Sequence, residues 1–392
     1  METVTKAKSK IGQSGRVRFD PDPEKSGTLP GHYFIDPAIY QREIEEIFFK
    51  TWQFAGWSHD VKEPGSYFTA DLLDQKILVT RGKDKKLRAF YNVCMHRGHI
   101  LAEGKGSKAI FTCPFHAWSY DATGALKAAG NAENVEGFRL EDFSLAEIQV
   151  EEFGRMVFVN LDPKARSLHD QAGGLEREFQ TIIPRFNDLK LVHVDVMPIN
   201  CNWKFVFDQM ECYHCPIIHP QIMGKDDSYL EFSFDITAHE IWSQHFVAGN
   251  KENIEKHKDK LPYEIQVQGE DVLADAYIWW LWPNLLWVAH HGKTNWKLMH
   301  VLPTGPETCV QTVYYFFMTD PPEKGERELM DYFTNVLQRQ DITTMEKQQI
   351  GVHARGYRMG RLMVDKERSW RSEHGTHHFD KLIWEVLNGP NY

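Results

Sequence analysis

Two short pairs of cysteine and histidine constrain this chain more than any other feature of its sequence. Cys94 and His96 form the first pair, and Cys113 and His116 form the second after sixteen intervening residues. Two thiolates on one iron and two imidazoles on the other are the ligands of a Rieske [2Fe–2S] cluster, whose potential is roughly −150 to +300 mV. The spacing therefore predicts two loops that hold a cluster of this kind, which passes single electrons.

Three other interpretations explain less of this motif. Structural zinc sites usually pair like ligands, as C-x₂₋₄-C and H-x₃₋₅-H, whereas both pairs here are mixed. A disulfide between Cys94 and Cys113 would leave both histidines without a role. Four unrelated residues would not explain the flanking segments, which are Arg97–His99, Pro114–Phe115 and Ala117–Trp118.

Composition narrows the classes of partner and compartment. The net charge of −10 argues against nucleic acid and anionic membrane as partners, because both require a basic face. No apolar run reaches the roughly 18 residues of a membrane span, and Met1–Gly15 lacks the apolar core of a signal peptide. Because two of the six cysteines are assigned as thiolate ligands, we expect a reducing cytoplasm.

The chain changes character near residue 164. Before it, short strands broken by Gly, Asp and Pro predict a small β domain behind a helix at Asp36–Trp52. After it the pattern is mixed, which predicts an α+β domain. The predicted elements are a helix at Leu168–Ile183 with Ser167 as cap and Pro184 as stop, a strand at Leu189–Pro198, a helix at Trp203–Tyr213, strands across 227–247 and 276–318, and helices after Glu323.

His214 and His219 suggest a second metal site. Non-haem Fe(II) that activates O₂ uses two histidines and one carboxylate on one face. Five residues turn about 140° around an ideal helix, so we expect Pro216 to bend or end the helix and bring both rings onto one ion. Two alternatives remain, a zinc site that uses Cys212 and Cys215, and two core histidines without a metal.

The carboxylate of such a site has to come from elsewhere in the chain. Asp341, in Gln-Asp-Ile-Thr-Thr-Met-Glu, is a candidate. An aspartate before an apolar-periodic segment is equally a good helix N-cap, and the spacing does not decide between the two roles.

Nine segments together resemble the catalytic α subunit of a Rieske non-haem iron oxygenase over nearly the full length. Within that superfamily the chain most resembles the carnitine and betaine monooxygenase group. The segments are LRAFYNVCMHRGH (87–99), TCPFHAWSYDATGAL (112–126), NAENVEGF (131–138), NWK (202–204), ECYHC (211–215), HP (219–220), WLWPNLL (280–286), RGYRMGRLM (355–363) and SEHGTHHF (372–379).

The resemblance implies a role for each candidate site residue. Cys94 and Cys113 would bind one cluster iron, with His96 and His116 on the other. The mononuclear Fe(II) would be bound by His214, His219 and Asp341. Glu211 would carry the electron from the cluster of a neighbouring subunit to this iron, unless it is an ordinary glutamate on a helix surface.

The resemblance also implies the architecture. The fold would be α+β, with a β-rich Rieske domain and a helix-grip catalytic domain of antiparallel sheet and helices. The expected boundaries are a tail at 1–17, an N-terminal segment at 18–53, the cluster domain at 54–163 and the catalytic domain at 164–392.

The implied function is that of a terminal oxygenase. It would use O₂ and electrons from NAD(P)H, delivered by a flavin/iron–sulfur reductase directly or through a ferredoxin, and would assemble as a homotrimer with or without a β subunit. The expected substrate is a small quaternary ammonium compound such as carnitine or a betaine, with cleavage of a C–N bond. The alternatives are an aromatic-ring mono- or dioxygenase and an electron-transfer protein without catalysis.

Two further clusters are ambiguous in the sequence. The aromatic run Tyr277–Trp287 suits either a cage for a quaternary ammonium, through cation–π attraction, or a hydrophobic core. His374, His377 and His378 suggest another metal, but packing and hydrogen bonding explain them better because no cysteine or carboxylate pair accompanies them.

Overall fold

A computed structural model describes residues 17–183, 185–223, 229–231 and 233–389. The predicted tail, except for its last residue, and the predicted stop at Pro184 lie outside these ranges. The helices are α1 (Pro37–Glu43), α2 (Leu168–Ile182), α3 (Lys204–Phe207), α4 (Cys215–Ile218), α5 (Pro220–Met223), α6 (Lys251–Lys256), α7 (Lys324–Tyr332), α8 (Gln338–Val352) and α9 (His374–Asn388). π-helical turns follow α1 at Ile44–Phe48 and join α7 to α8 at Phe333–Leu337.

The strands divide between two large antiparallel sheets and two small ones. They are β1 (Gln53–Trp57), β2 (Ser66–Leu72), β3 (Gln75–Arg81), β4 (Leu87–Tyr91), β5 (Lys105–Ser107), β6 (Ile110–Thr112), β7 (Ser119–Asp121), β8 (Leu126–Ala128), β9 (Glu147–Phe153), β10 (Met156–Asn160), β11 (Lys190–Ile199), β12 (Asp235–Ala238), β13 (Trp242–Val247), β14 (Val272–Leu273), β15 (Ala276–Leu281), β16 (Leu285–Ala289), β17 (Gly292–Lys293), β18 (Asn295–Gly305) and β19 (Thr308–Phe317).

The first large sheet carries the cluster motif. Its strand order is β1-β10-β9-β4-β3-β2-β5, and a three-stranded sheet, β6-β7-β8, lies beside it in sequence. Cys94 and His96 follow β4, whereas Cys113 and His116 lie in the tight connection between β6 and β7. The predicted placement of both pairs on loops of a β-rich unit is confirmed.

The second large sheet is buried on both faces. Its order is β11-β19-β18-β16-β15-β13-β12. On one face Trp279, Trp287 and Trp296 pack with α2 and with aromatic side chains of β1 and β10. On the other face Trp280 and Met299 pack with α9 and with the helices around α8. Sheet and helices in this arrangement confirm the α+β class.

Most predicted helices are present, but their ends differ in instructive ways. Asp36 caps α1 by accepting a hydrogen bond from the Ala38 backbone N–H at 2.8 Å. Ser167 is the N-cap residue of α2, yet its side chain caps nothing. The Glu151 carboxylate accepts from the first backbone amides of that helix instead, at 3.1 Å for Leu168 and 3.3 Å for His169.

The helix predicted at Trp203–Tyr213 is wrong beyond its first turn, because α3 ends at Phe207. A buried ion pair fixes this short turn, with Lys204 Nζ 2.5 Å from Glu43 Oε1. Trp203 donates its indole N–H to the same carboxylate at 2.9 Å. The chain after Phe207 then leaves the helical path and carries the residues around His214 toward the second sheet. No described helix has the length and hydropathy needed to span a bilayer.

Candidate metal centres and their cavity

The four predicted cluster ligands meet at one surface corner. Cys94 and Cys113 are buried, at 2% and 3% exposure, and neither is in a disulfide. Both loops are closed by backbone hydrogen bonds, from Gly98 N–H to Cys94 O at 2.9 Å and from Ala117 N–H to Cys113 O at 3.0 Å. Each cysteine therefore lies in a tight turn that points its sulfur inward.

The histidines lie at the outer edge of this corner. The rings of His96 and His116 are 4.8 Å apart and nearly perpendicular, and His96 stacks on Trp118 at 4.8 Å. Both histidines are exposed in the isolated chain. Loss of solvation and the neighbouring Arg97 lower the pKa of His116, which favours the neutral imidazole that a metal requires.

Tyr120 is a supporting residue that sequence reasoning missed. Its hydroxyl is 3.5 Å from Cys94 Sγ and accepts a hydrogen bond from the Met95 backbone N–H at 3.0 Å. Hydrogen bonds near cluster sulfurs are among the factors that set reduction potential. Its position inside the motif segment 112–126 was the available signal.

His214, His219 and Asp341 converge on one point. One ligand atom from each lies within 4.8 Å of the others, and among the described residues this is the group of three that could hold a single ion. The four cluster residues do not form such a group, as expected where the ligands divide between two irons. The predicted triad is thus brought together, although Asp341 comes from a distant helix.

Both histidines of the triad direct the same ring nitrogen, Nε2, at the common point. His214 Nδ1 is 2.7 Å from Glu211 Oε1, and His219 Nδ1 is 2.7 Å from Gln340 Oε1. These contacts leave each Nε2 directed at the common point. Acceptors that hold one imidazole nitrogen fix the tautomer and the ring orientation of a metal-binding histidine. Gln340 was missed in the sequence, although it directly precedes Asp341.

The electrostatics of the triad fit a cation. Asp341 Oδ1 is buried and 3.0 Å from His219 Nε2, yet it makes no hydrogen bond of normal geometry within the described residues. Burial lowers the pKa of His214, but the hydrogen bond from its ring to Glu211 and the negative charges of Glu211 and Asp341 together outweigh this effect and raise the pKa overall. Two imidazoles and a carboxylate on one face are the donor set of non-haem Fe(II), so these residues fit that ion.

Local structure explains the convergence differently from the sequence prediction. Pro216 lies in the first turn of α4 and begins the helix, so the expectation that it bends or ends one is wrong. His214 is the N-cap residue of this single turn and His219 is its C-cap. The two ligands therefore flank a one-turn helix that Pro220 follows.

The positions of Asp341, Cys212, Cys215 and Glu211 also bear on the other interpretations of these residues. Asp341 lies inside the first turn of α8, whose N-cap is Leu337, so it is not an N-cap. Cys212 and Cys215 are joined to each other in a disulfide, which leaves neither sulfur available to zinc. Glu211 is 10% exposed and bonded to His214, so it is not an ordinary surface glutamate.

A cavity of about 190 Å³ opens beside the triad. Its walls are mainly apolar, with two aromatic rings, and its polar lining besides the triad comes from Gln209, Glu211, His245, His290 and Gln338. Other lining side chains come from β15, β16 and β18 and from the helix that carries Asp341; they are Ile278, Leu286, Val288, Met299, Phe333 and Leu337.

The aromatic run Tyr277–Trp287 belongs to the core and supplies no aromatic ring to this cavity. Trp279, Trp280 and Trp287 are fully buried. Strand alternation directs Ile278 to the cavity and Trp279 to the opposite face. The aromatic lining comes instead from Phe234 and Phe333, which the sequence analysis did not identify.

The C-terminal histidines serve packing. His377 stacks on Phe19, with ring centres 5.5 Å apart, and its Nε2 is 2.9 Å from the Asp20 carbonyl. His378 contacts the edge of Trp280. Within the described ranges neither histidine belongs to a group that could hold a metal ion.

Two family models match the chain. The Rieske [2Fe-2S] domain matches residues 51–139, and the ring hydroxylating alpha subunit (catalytic domain) matches residues 186–389. The oxygenase subunit of carnitine monooxygenase from Acinetobacter baumannii is 33% identical over 93% of this chain and 96% of its own length. The chloroplastic choline monooxygenase of Beta vulgaris is 32% identical over 94% of this chain and 79% of its own length.

Solved structures agree with these matches. The quaternary ammonium Rieske monooxygenase CntA in complex with L-carnitine superposes with a TM-score of 0.79 and 30% identity, over 94% of this chain and 99% of CntA. Another structure of such an enzyme is described as revealing inter-subunit electron transfer. Naphthalene 1,2-dioxygenase from Rhodococcus, at 18% identity and a TM-score of 0.74, shows the fold alone.

Proposed function

Since this chain belongs to the alpha subunits of the Rieske-type ring-hydroxylating oxygenases, we propose that it hydroxylates a small quaternary ammonium compound at a carbon next to nitrogen. Family membership makes it an O₂-dependent oxidoreductase with a [2Fe–2S] cluster and a mononuclear Fe(II). The relatives and structural neighbours that act on carnitine, γ-butyrobetaine and choline support the substrate class.

The small cavity beside His214, His219 and Asp341 carries the proposal. At about 190 Å³ it is below the roughly 300–1,000 Å³ of typical ligand pockets, which suits a compact substrate. A quaternary ammonium has no N–H group. It therefore needs no hydrogen-bond acceptor, and apolar walls can surround it. Phe234 and Phe333 add aromatic faces that attract such a cation.

The residues of the two sites have different roles in the proposed reaction. When bound, the two iron centres supply stored electrons and reductive activation of O₂. Cys94, His96, Cys113 and His116 hold the cluster, and the triad holds the mononuclear iron. Glu211 and Gln340 orient the triad histidines through Nδ1. The apolar walls exclude water from the reacting carbon.

Hydroxylation of the substrate consumes two electrons. One O₂, two electrons and two protons give one hydroxylated carbon and one water. In the hydroxylated product the C–N bond breaks, its electron pair stays on nitrogen, and the hydroxyl proton is released. The products are then an amine and an aldehyde.

The exposed cluster corner supports an assembly of several subunits. We propose that His116 and His96 face Glu211 of a neighbouring subunit in a homotrimer, so that Glu211 links the two centres. A separate NAD(P)H-dependent flavin/iron–sulfur reductase would supply the electrons. Within each chain, residues 54–163 would serve electron transfer and 164–392 catalysis. We place the protein in the cytoplasm because Cys94 and Cys113 would bind the cluster as thiolates; the disulfide between Cys212 and Cys215 is an exception to the reduced state of cysteines in that compartment.

A substrate panel tests the proposal. The holoenzyme, a reductase and NADH are supplied with carnitine, γ-butyrobetaine, choline and an aromatic acid, and O₂ uptake, aldehyde and amine are measured. We expect aldehyde or amine release from a quaternary ammonium compound in proportion to O₂ consumed, and none from the Asp341→Asn variant. If only ring-hydroxylated products appear, the proposed substrate class is wrong.

A further inference from the structure

Lys297 is a buried lysine without a polar partner in the described part of the chain, and it lies against Phe333, which lines the cavity. Its side chain is 1% exposed, and Nζ makes no hydrogen bond or ion pair among the described residues. Burial lowers its pKa well below the usual range. Buried ammonium groups are normally paired, so an unpaired one next to a binding cavity needs a physical reason.

Strand register directs Lys297 toward the cavity side of the sheet. It pairs with Val288 across β16 and β18, and Val288 pairs with Ile278 across β15 and β16. Directly paired residues in antiparallel strands point to the same face, and both partners line the cavity. On the opposite face of β18, Trp296 and Leu298 belong to the other core.

Phe333, which lines the cavity, lies directly against this lysine. Nζ lies 3.6 Å from the centre of the Phe333 ring, and the His290 ring meets Phe333 edge-on at 5.6 Å. His290 Nε2 is also buried and has no hydrogen-bond partner in the described part of the chain. Two nitrogens without partners therefore belong to side chains that pack on the same ring, that of Phe333.

One continuous helical segment runs from Phe333, beside Lys297, to Asp341 of the metal triad. Phe333, Leu337 and Asp341 follow each other at four-residue intervals and all line the cavity. Eight residues of helix rise about 12 Å. This rise is between backbone positions, and side chains take up part of it, so a betaine with its reacting carbon at the triad directs its carboxylate toward Phe333 and Lys297.

We infer that Lys297, assisted by His290, receives the carboxylate of the substrate and selects acid-bearing quaternary ammonium compounds over amino alcohols. This inference rests on the proposed function and names the substrate class within it. The ammonium group then lies between the triad and the aromatic rings, while the carboxylate supplies the anion that the buried lysine lacks. Without the acid group, the lysine remains unpaired in the complex, which costs affinity.

Lys297→Met tests the inference in the holoenzyme. For γ-butyrobetaine we expect KM to rise about 100-fold, with kcat changed much less, because a buried charge pair is lost. For its methyl ester, which has the same chain without the charge, we expect less than about a threefold change. Lys293→Met, an exposed lysine of β17, is the matched control and should leave both KM values unchanged.

Binding without turnover gives a second readout. Under anaerobic conditions and without reductase, γ-butyrobetaine should raise the melting temperature of the wild type and fail to raise that of Lys297→Met. The variant without ligand should be at least as stable as the wild type, because methionine fills the site with no unpaired ammonium. Equal stabilisation of both proteins by γ-butyrobetaine would overturn the inference.

If Lys297→Met does not fold, the inference can still be tested by comparing substrates of the wild type. Its KM for γ-butyrobetaine should be at least about 30-fold below that for the methyl ester. Similar KM values for acid, ester and choline would refute the role of Lys297 and leave the proposed function intact. No oxidation of any quaternary ammonium compound would refute the proposed function itself.

Discussion

The two metal centres of this chain are built in opposite ways. The proposed cluster ligands all come from two neighbouring loops, at a corner where His96 and His116 are exposed. Of the proposed ligands of the catalytic iron, two come from the ends of one helical turn and the third, Asp341, comes from a helix more than a hundred residues later. Its ligands lie against a sheet that is buried on both faces.

The two constructions meet two different requirements, electron transfer at the surface and oxidation in a site without water. An electron has to enter and leave the cluster through the surface, so its outer ligands need solvent or a partner beside them. Oxidation of a C–H bond needs a dry site, so the catalytic ligands are covered by side chains that come from distant parts of the chain. The two centres should therefore fail independently when single residues are changed.

The largest effect is expected at the cluster. Cys113→Ala should abolish turnover and the Rieske-type EPR signal of the reduced protein, because one iron loses a thiolate ligand. Iron content should fall from about three to about one per chain, with the mononuclear iron retained. Cys309→Ala, at a buried cysteine outside both sites, is the control. Loss of the mononuclear iron as well would show that the centres are coupled.

Asp341→Asn should remove one iron and leave the cluster. The amide lacks the charge that holds Fe(II), so turnover should vanish while the EPR signal stays at full intensity. Iron analysis should give about two per chain. Asp331→Asn, an exposed position on α7, should behave as the wild type. Retained mononuclear iron in Asp341→Asn would mean that another group is the third ligand.

Glu211→Gln should slow turnover by about 100-fold with both centres loaded. Glutamine can still accept from His214 Nδ1, so the site keeps its geometry but loses the negative charge beside it. Single-turnover experiments on enzyme with a pre-reduced cluster measure this directly, since they report electron arrival at the catalytic site. Glu45→Gln, in the π-helical turn that follows α1, is the control. An unchanged rate in Glu211→Gln would contradict the bridging role.

Gln340→Leu should weaken catalytic iron binding by about tenfold, because His219 Nδ1 loses its acceptor. Competition with a chelator measures the affinity, and the cluster EPR signal should not change. Gln348→Leu, two turns further along α8, is the matched control. An effect on the cluster signal would argue for a general loss of fold instead of a local one.

The smallest effect concerns acid stability. Burial lowers the pKa of His300 to about 4. As pH falls below about 6.5 the unfolded chain takes up this proton first, so the free energy of unfolding should decrease between pH 6.5 and 4 by up to about 3 kcal/mol. His300→Gln should flatten this part of the urea-unfolding profile, whereas the exposed His59→Gln should not. An unchanged slope in His300→Gln would contradict the assignment.

The same contrast governs what could be predicted from the sequence. The cluster ligands were identified from residue types and spacing, because a loop site is contiguous in the chain. His214 and His219 were also local. Asp341 was not, because nothing in its spacing separates a ligand from a helix cap, and only resemblance to a known family assigned it. Gln340 acts through a contact with His219 that has no signature in sequence.

The cavity walls were not predictable for a different physical reason. Alternation in a strand reveals an inward face when the other face is polar. Here Ile278 and Trp279 are both covered, so the pattern does not say which face meets the substrate. Likewise the helix predicted at Trp203–Tyr213 ends at Phe207, and its single turn is held by a contact between Lys204 and Glu43, which are far apart in the sequence.

The doubly covered sheet also shapes how the substrate range can change through evolution or design. A larger residue at Ile278 or Val288 would disturb strands whose neighbouring tryptophans fill the opposite core, so each gain in fit would bring a loss of stability. Phe333, Leu337 and Gln338 line the same cavity from one continuous helical segment that lies outside the doubly covered sheet. Libraries that aim for new substrates should therefore vary the helix first and leave the strands unchanged.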